Sequence, residues 1–484
     1  YTRALTSKAQ LRNRVALALS EIFVVSFQDG GVLLAPELMA GYMDILDGAL
    51  DRNYRQLLES IATSPAMGQY LSFTSNAKEN PLFGNSPDEN FAREVMQLFS
   101  IGLYQLNPDG TPVLGADGKP VESYTMTDVK GLAKVFTGWT RDHGAGVNTS
   151  DRWKCFYVFP ECADIAGRYL PLVNYTEFHS VSEKNFLGVT IAPQGTPNAQ
   201  SDLKIALDTL ANHPNTAPFF SRQLIQKLVT SNPSPAYVKR VAARFSATGG
   251  SIAETVKAVL LDSEARSLLA PNQGTFGKLR EPVLRMTAVL RAFKFTDTTL
   301  PADRALRTST GALSHVNIAL TNDASTSLGQ TPLYAPSVFN FFRPGYVMPQ
   351  SLSAQSGLVA PEFQLVSETS VAGYTNFMAD LVVNGVTSTG YLGNTVKGPV
   401  LDVSEQRSVA NNDATLIAHV ADRLLGGKIS AGLTQAIQGV LQTMTVPVSN
   451  GTQASIDQLN AALDKRTRAA ILLVAVSPEF LIQR

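Results

Sequence analysis

The stretch from Ser86 to Gly102 constrains the fold most, because it contains a complete helix signal. Its opening, Ser86-Pro87-Asp88-Glu89, offers a cap oxygen, a fixed φ and two acidic first-turn residues, and Gly102 can close the far end. The pattern therefore predicts an amphipathic helix whose polar stripe is either a solvated face or part of a site. The apolar band comprises Ala92, Val95, Met96, Phe99 and Leu103, and the polar stripe comprises Asn90, Arg93, Glu94 and Gln97.

The composition is that of a globular chain with a large core. Hydrophobic residues make up 44% of the 484 residues and charged residues only 17%. Lys plus Arg and Asp plus Glu both number 40, so no overall field attracts nucleic acid, and we expect no nucleic-acid partner. The longest apolar run, Ala469 to Val476, is too short to span a bilayer, so we expect no transmembrane segment and a soluble chain.

Most of the chain shows helical periodicity between Gly, Pro and Ser punctuation. We therefore predict a mainly α-helical protein, organised as one large multi-helix domain over residues 1–484. Capping by Thr125 and Asp128 predicts one helix start, and the helix pattern around Lys278 predicts another helix from Gly277 to Phe293. Further helices are predicted at 3–27, 36–50, 53–62, 64–71, 202–211, 214–229, 235–245, 252–261, 361–383, 414–425, 430–444 and 455–476.

Residues 103–124 depart from this pattern. Three strand-like segments, Leu103–Leu106, Thr111–Leu114 and Pro120–Tyr124, are separated by two Asp-Gly turn signals. They predict a small β-hairpin or a three-stranded ribbon inserted in the helical domain. The spacing of the aspartates does not match a calcium loop.

Three longer segments lack a sustained period. Residues 141–180 form an irregular excursion that contains Cys155 and Cys162, which are either a local disulfide, our preferred interpretation, or two free thiols. Residues 294–360 and 384–403 are irregular connectors. In the first of these, the aromatic stretch from Pro336 to Tyr346 either lines a pocket or packs as a buried loop.

Several common chemistries have no signature here. The five histidines include no i, i+4 pair, and the two cysteines have no second pair, so we expect no metal site. Neither a phosphate-binding glycine loop nor a Gly-x-Ser-x-Gly elbow is present. The sequence identifies no cofactor and leaves the oligomeric state open.

The Asn90-Phe91-Ala92-Arg93-Glu94 stretch, followed by Leu98-Phe99 and Gly102, resembles the hallmark motif of the DUF1800 family of bacterial proteins, which have no established function. Further similarities to the family follow in order and cover most of the chain from about residue 10 to the end. They are Phe136-Thr137-Gly138-Trp139, His179 with Lys184 and Leu187-Gly188, His213-Pro214-Asn215-Thr216-Ala217, Lys278-Leu279-Arg280-Glu281-Pro282, Leu328-Gly329-Gln330, Pro336-Ser337-Val338 and Ser477 to Gln483.

The resemblance implies location more than chemistry. Members are typically exported, so it implies a periplasmic, cell-surface or extracellular protein, of which this chain is expected to be the processed or ordered portion. It also implies a secreted sulfatase-like or phosphatase-like protein as the partner. No reaction follows from it.

Two functional hypotheses follow from the polar residues in these motifs. The first is a binding or assembly component that works with a secreted or cell-envelope partner. The alternative is an exported enzyme with hydrolase-like acid/base chemistry on an anionic or glycan-type substrate, if charged side chains converge near Glu94; otherwise the same charges form salt bridges between helices. The candidate catalytic residues are Asn90, Arg93, Glu94, His179, His213 and Glu281, and the candidate binding residues are Trp139, Lys184, Lys278, Arg280, Asn340 and Arg343.

Overall fold

The computed structural model describes residues 1–484 except 34, 83, 143–155, 157–164, 268–273, 297–306, 309–310, 313–317, 319, 390–394 and 484. Cys155 and Cys162 lie outside the described residues, so the predicted disulfide stays a prediction. Within the described part, no helix is both long enough and apolar enough to cross a bilayer.

Helices dominate, which confirms the mainly α-helical prediction. Side-chain caps start many of them. Asn53 with Gln56 and Thr125 with Asp128 both form reciprocal capping boxes, as the sequence predicts for Thr125. The α-helices run Thr2–Thr6, Gln10–Ser20, Gly30–Leu33, Pro36–Asp47, Tyr54–Ala62, Pro65–Tyr70, Asn90–Glu94, Met126–Ala133, Ala199–Asn212, Thr216–Leu228, Pro235–Ala247, Ile252–Leu261, Ser263–Arg266, Pro282–Ala292, Leu352–Gln355, Glu368–Val383, Asp413–Leu425, Ala431–Gln442, Gln453–Ala475 and Pro478–Leu481.

The remaining regular elements are short. The 3-10 turns run Gly48–Asp51, Lys134–Phe136, Ile165–Arg168, Thr176–Phe178, Pro361–Leu365 and Ser404–Ser408. The strands form antiparallel pairs, namely Trp139–Thr140 with Val173–Asn174, Lys184–Phe186 with Val189–Ile191, Lys278–Leu279 with Ile482–Gln483, Lys294–Thr296 with Val400–Asp402, Arg307–Thr308 with Gly311–Ala312, and Thr387–Thr389 with Thr395–Lys397. Residues 294–360 and 384–403 therefore contain short strands that their sequence pattern does not predict.

Two hydrophobic clusters form the interior. The first is built from residues between Val15 and Val259, and it includes the inward face of the helix that begins at Asn90. The second combines Leu5 with residues between Val283 and Phe480. The strand pair of Lys278–Leu279 with Ile482–Gln483 lies where the chain passes from the first cluster to the second, and Gln483 donates to the Leu228 carbonyl at 2.9 Å.

The signature helix, residues 90–100, differs from its sequence pattern in three ways. It begins at Asn90 instead of Ser86, because the Asp88 carboxylate accepts the Asn90 N–H at 2.7 Å. Its second half, Val95–Ser100, is a π-helical turn in which the Ile101 N–H reaches back five residues to the Met96 carbonyl at 2.9 Å. Gly102 ends it with a φ of +71°, as expected, and Leu103 is exposed.

The predicted ribbon at residues 103–124 closes on itself. Gln105 donates its N–H to the Val121 carbonyl, Val121 donates to Val113, and Val113 donates back to Gln105, with N···O distances of 2.8 to 3.0 Å. Each segment thus pairs with both of the others. Asn215 attaches this ribbon to the signature helix, because its amide donates to the Ile101 and Tyr104 carbonyls at 2.8 Å and its oxygen accepts from Leu106.

The prediction of a helix from Gly277 to Phe293 is wrong at its start. The helix begins at Pro282, and Lys278 and Leu279 form a strand instead. The side chains of Lys278 and Glu281 are buried, because the strand directs them into the junction between the two hydrophobic clusters. The long helix predicted from residue 3 is also divided, into Thr2–Thr6 and Gln10–Ser20.

Candidate functional site

The junction between the two hydrophobic clusters holds a buried ionic cluster, which we define as Glu21, Lys227, Lys278, Glu281 and Glu362. Lys278 contacts Glu362 at 2.8 Å and Glu281 at 3.9 Å, and Lys227 contacts Glu21 at 3.0 Å. All five side chains are at most 5% exposed. Charges buried in this way persist only when they compensate one another.

Lys278 uses its full hydrogen-bonding capacity inside this cluster. Besides Glu362, its ammonium group donates to the backbone carbonyls of Gln226 at 2.9 Å and Lys227 at 3.0 Å. An ammonium group has three N–H donors, so none is left for a ligand. The position of Lys278 is thus that of a fixed internal cation.

Glu21 and Glu281 form a coupled carboxyl pair. Burial, and after it the charge of Glu281, raises the pKa of Glu21 to about 8. Burial alone would raise the pKa of Glu281 too, but the hydrogen bond from Glu21 and the charge of Lys278 hold it below its usual range. The opposite directions of the two pKa shifts indicate that the pair holds one proton between its two carboxyl groups, and Gln330 donates to Glu281 Oε2 at 2.7 Å.

The cavities beside the ionic cluster are small. One adjoins Glu21, Gln330 and Asn340, the other adjoins Lys227 and Glu362, and each measures about 10 Å³. That volume suits about one water molecule. The larger clefts in the described part of the chain, of 660 and 470 Å³, are lined by residues around Arg291 and Tyr169 and include none of the predicted site residues.

His179 and Lys184 form a second buried group, around Asp202. His179 contacts the Asp202 carboxylate through Nε2 at 3.0 Å and the Thr137 carbonyl through Nδ1 at 2.8 Å. Lys184 reaches Asp202 at 2.9 Å and the carbonyls of Ser180 and Ser182 at 2.8 and 3.3 Å. All three side chains are fully buried. The contacts above give both ring nitrogens of His179 and the ammonium group of Lys184 acceptors inside the protein.

Glu94 on the signature helix has no such partners. It is 8% exposed, and its Oε2 is buried without a hydrogen bond from any described residue. Burial raises its pKa, although the charge of Arg93 acts in the opposite direction. Arg93 itself is directed to Glu89 at 3.4 Å and to the Met126 sulfur at 3.6 Å.

The other predicted site residues are separate. His213 accepts the Asn215 N–H at 3.1 Å, and burial lowers its pKa. Trp139 is buried and donates to the Val135 carbonyl at 3.2 Å. Asn90 is exposed and donates to the Leu71 carbonyl at 3.4 Å. Asn340 is buried and has a φ of +62°. Two arginines lie against aromatic rings: Arg280 is 4.7 Å from the Phe480 ring, and the exposed Arg343 is 4.5 Å from the Phe339 ring.

The structure thus brings Lys278 to Glu281 and His179 to Lys184, and it leaves Glu94 apart from both groups. No hydrogen bond or ion pair between described residues joins Glu94 to a histidine or to Glu281. Sequence reasoning missed Glu21, Lys227, Asp202 and Glu362 as members of these groups. Asp202 lies in an ordinary amphipathic helix and Glu21 directly follows one, and neither Lys227 nor Glu362 carries a local signal.

Comparison with known proteins gives a family and nothing more specific. A family model described as a protein of unknown function (DUF1800) matches residues 1–482. No curated protein matches the chain. No solved structure matches it either.

Proposed function

Because the chain belongs to the DUF1800 family, whose description assigns no activity, we propose from its own geometry that it is a binding or assembly component. In this proposal it works outside the cytoplasm with a secreted or cell-envelope partner. The extracellular location and a sulfatase-like or phosphatase-like partner come from the family resemblance alone.

One observation carries the proposal: the buried lysines and the buried histidine of the family motifs have their hydrogen-bond partners inside the protein. Lys278 and Lys184 each donate three hydrogen bonds to buried acceptors, and both ring nitrogens of His179 face acceptors. Catalysis by these groups would first require breaking buried, charge-assisted bonds. Their arrangement supports a role in fixing a rigid scaffold for recognition.

Isolation of the native protein tests the proposal. The chain is tagged in its own host and purified under mild conditions, and the mass of the purified species is measured by light scattering. We expect the native species to be heavier than the tagged chain alone, whose mass is measured after denaturation, and to contain a partner in fixed stoichiometry. Tagging that partner must then recover this chain in return. A native species with the mass of the single tagged chain, which associates with nothing in either direction, would contradict the proposal.

A second function is favoured by one observation, the raised pKa of Glu94. A carboxyl group made less acidic by burial is suited to general acid/base catalysis. In that case Glu94→Gln abolishes turnover of a phosphate ester, a sulfate ester or a glycoside without unfolding the protein. Turnover that survives this substitution would exclude Glu94 as the catalytic group.

A further inference from the structure

Glu94 is a buried carboxylate that has no hydrogen-bond donor among the described residues. No described residue donates a hydrogen bond to either of its oxygens, and Oε2 is fully buried. Oε1 also lacks a partner but is not among the buried atoms, so the 8% exposure of the residue gives a ligand access to it. A buried carboxylate without donors is costly to the folded state, and a ligand that supplies a donor would reduce this cost.

The backbone around Glu94 is also unusual. The π-helical turn Val95–Ser100 begins at the next residue, and single π turns inside helices are frequent at functional sites. In the loop before the helix, Ser72 adopts a φ of +56°, and its hydroxyl donates to Asp88 at 2.9 Å. Asn90 in turn donates to Ser72 at 3.3 Å. These contacts fix the start of the helix one turn before Glu94.

We name Glu94, Asn90, Gln97, Tyr70 and Tyr124 the Glu94 patch. Asn90 and Glu94 are four residues apart in the α-helical half, Gln97 follows in the π-helical turn, and Tyr124 donates its hydroxyl to Gln97 at 2.9 Å. Burial raises the pKa of Tyr70 to about 12, with further contributions from the charges of Asp29 and Glu94, which places the phenol within electrostatic reach of Glu94. The patch thus combines one unpaired carboxylate with two aromatic rings.

The chemistry of these groups selects the ligand. A carboxylate beside aromatic rings favours an organic cation, which can accept both an ion pair and a cation–π contact. A metal ion is a poorer fit, because the described residues contain no group of three or more His, Cys, Asp and Glu side chains positioned to hold one. Arg93 leaves the position open, because it contacts Glu89 and Met126 instead of Glu94.

We propose that Glu94 binds an ammonium or guanidinium group through its accessible oxygen, with Tyr70 and Tyr124 beside it. The inference rests on the proposed binding function only for the origin of that group, a lysine or arginine side chain of the partner. A free polyamine would offer the same chemistry, and the experiment distinguishes the two sources.

Methyl NMR of the full chain with ¹³C-methyl methionine tests the proposal. Met126 adjoins Arg93 next to the patch and reports on it, whereas Met378 in the second hydrophobic cluster is the internal control. Agmatine is titrated against 1,4-butanediol, its neutral analogue, and succinate, an anion, at constant ionic strength. We expect agmatine alone to shift the Met126 signal and leave the Met378 signal in place.

Two variants assign the effect to Glu94. Glu94→Gln should weaken agmatine binding at least tenfold and raise the melting temperature by about 2 °C, because it removes an uncompensated buried charge. Glu281→Gln, in the saturated ionic cluster, should lower the melting temperature and leave agmatine binding unchanged. Binding of agmatine by the wild type should also strengthen as the pH rises, because the carboxylate form is the one that binds.

The same titration identifies the source of the cationic group and can contradict the proposal. Binding of Nα-acetyl-lysine methylamide or Nα-acetyl-arginine methylamide as well as agmatine supports a protein side chain, and binding of agmatine but of neither amino-acid derivative supports a free polyamine. The proposal falls if succinate shifts Met126, if no cation does, or if Glu94→Gln binds agmatine as the wild type does. Such a failure leaves the proposed binding function intact, because that function is judged by reciprocal purification.

Discussion

Glu281 and Glu94 are both buried glutamates in family motifs, yet their surroundings are opposite. Glu281 Oε2 accepts a hydrogen bond from Gln330, and its Oε1, which accepts none, lies 3.9 Å from the Lys278 ammonium group. Glu94 has neither a donor nor an ion-pair partner among the described residues. One buried carboxylate is therefore partnered inside the protein, and the other is not.

The difference separates stability from recognition within one set of motifs. A saturated buried charge is expensive to disturb and contributes little to ligand chemistry. An unsaturated one destabilises the folded state and is ready for an external donor. Membership of a family motif alone therefore does not separate the two roles. The internal partners of each carboxylate separate them.

The largest effect on stability should come from removing Lys278, the cation beside Glu281. Lys278→Met leaves Glu281 and Glu362 buried without their shared counter-ion, so we expect the free energy of unfolding to fall by about 3–5 kcal/mol. Urea unfolding followed by circular dichroism measures this. Lys204→Met, which removes an exposed partner of Asp208, is the matched control and should change stability by under about 1 kcal/mol.

A double substitution sharpens this result. Lys278→Met combined with Glu362→Gln removes both charges of the 2.8 Å pair, so most of the loss should be recovered. If Lys278→Met is tolerated as well as Lys204→Met, the ionic cluster is not the rigid element that the comparison with Glu94 assumes.

The next effect is a pH dependence of stability that comes from the Glu21–Glu281 pair. The pKa of Glu21 is raised from 4.5 to about 8, so between these values the folded protein holds a proton that the unfolded chain releases. This stabilisation is complete below pH 4.5 and declines as the pH rises toward 8, by up to about 1.4 kcal/mol per pH unit.

Glu21→Gln isolates this term, because a glutamine amide replaces the shared proton as a donor to Glu281 at every pH. Melting temperatures measured from pH 5 to 8 should therefore fall more steeply for the wild type than for the variant, and the two should converge near pH 5. Parallel curves would show that Glu21 and Glu281 do not share a proton. Other titrating groups, Glu94 included, are common to both proteins and cancel in the difference.

The sequence predicts the elements of this comparison better than their partners. The existence of the signature helix, its closing glycine and the capped helix at Thr125 follow from local rules that the structure confirms, whereas the start signal at Ser86 lies four residues before the observed start. The π-helical turn does not, because it depends on how the helix packs against the first hydrophobic cluster. The ribbon carried a readable signal, since Gln105, Val113 and Val121 recur every eight residues between turn sequences.

The saturation of Lys278 could not be predicted, since its partners come from distant parts of the chain. Glu362 lies 84 positions away, and the carbonyls of Gln226 and Lys227 are exposed to it only because their helix ends near the strand. Periodicity indicated that the charges of this segment must face water or pair, and it could not decide between the two. For Glu94 the polar stripe indicated a candidate face of the helix and could not show that the carboxylate is unpaired.

The smallest effect concerns the residue beside the open carboxylate. Arg93→Met removes a half-exposed helix-surface pair with Glu89, so stability should change by under about 0.5 kcal/mol. The same change removes a like charge from the approach of a cationic ligand, so agmatine should bind the Glu94 patch several-fold more tightly. Glu89→Gln, which removes the partner of Arg93 and leaves its charge, is the control and should not tighten binding. Weaker agmatine binding by Arg93→Met would mean that Arg93 contacts the ligand. Glu94 would then not be the unpartnered carboxylate that its comparison with Glu281 assumes.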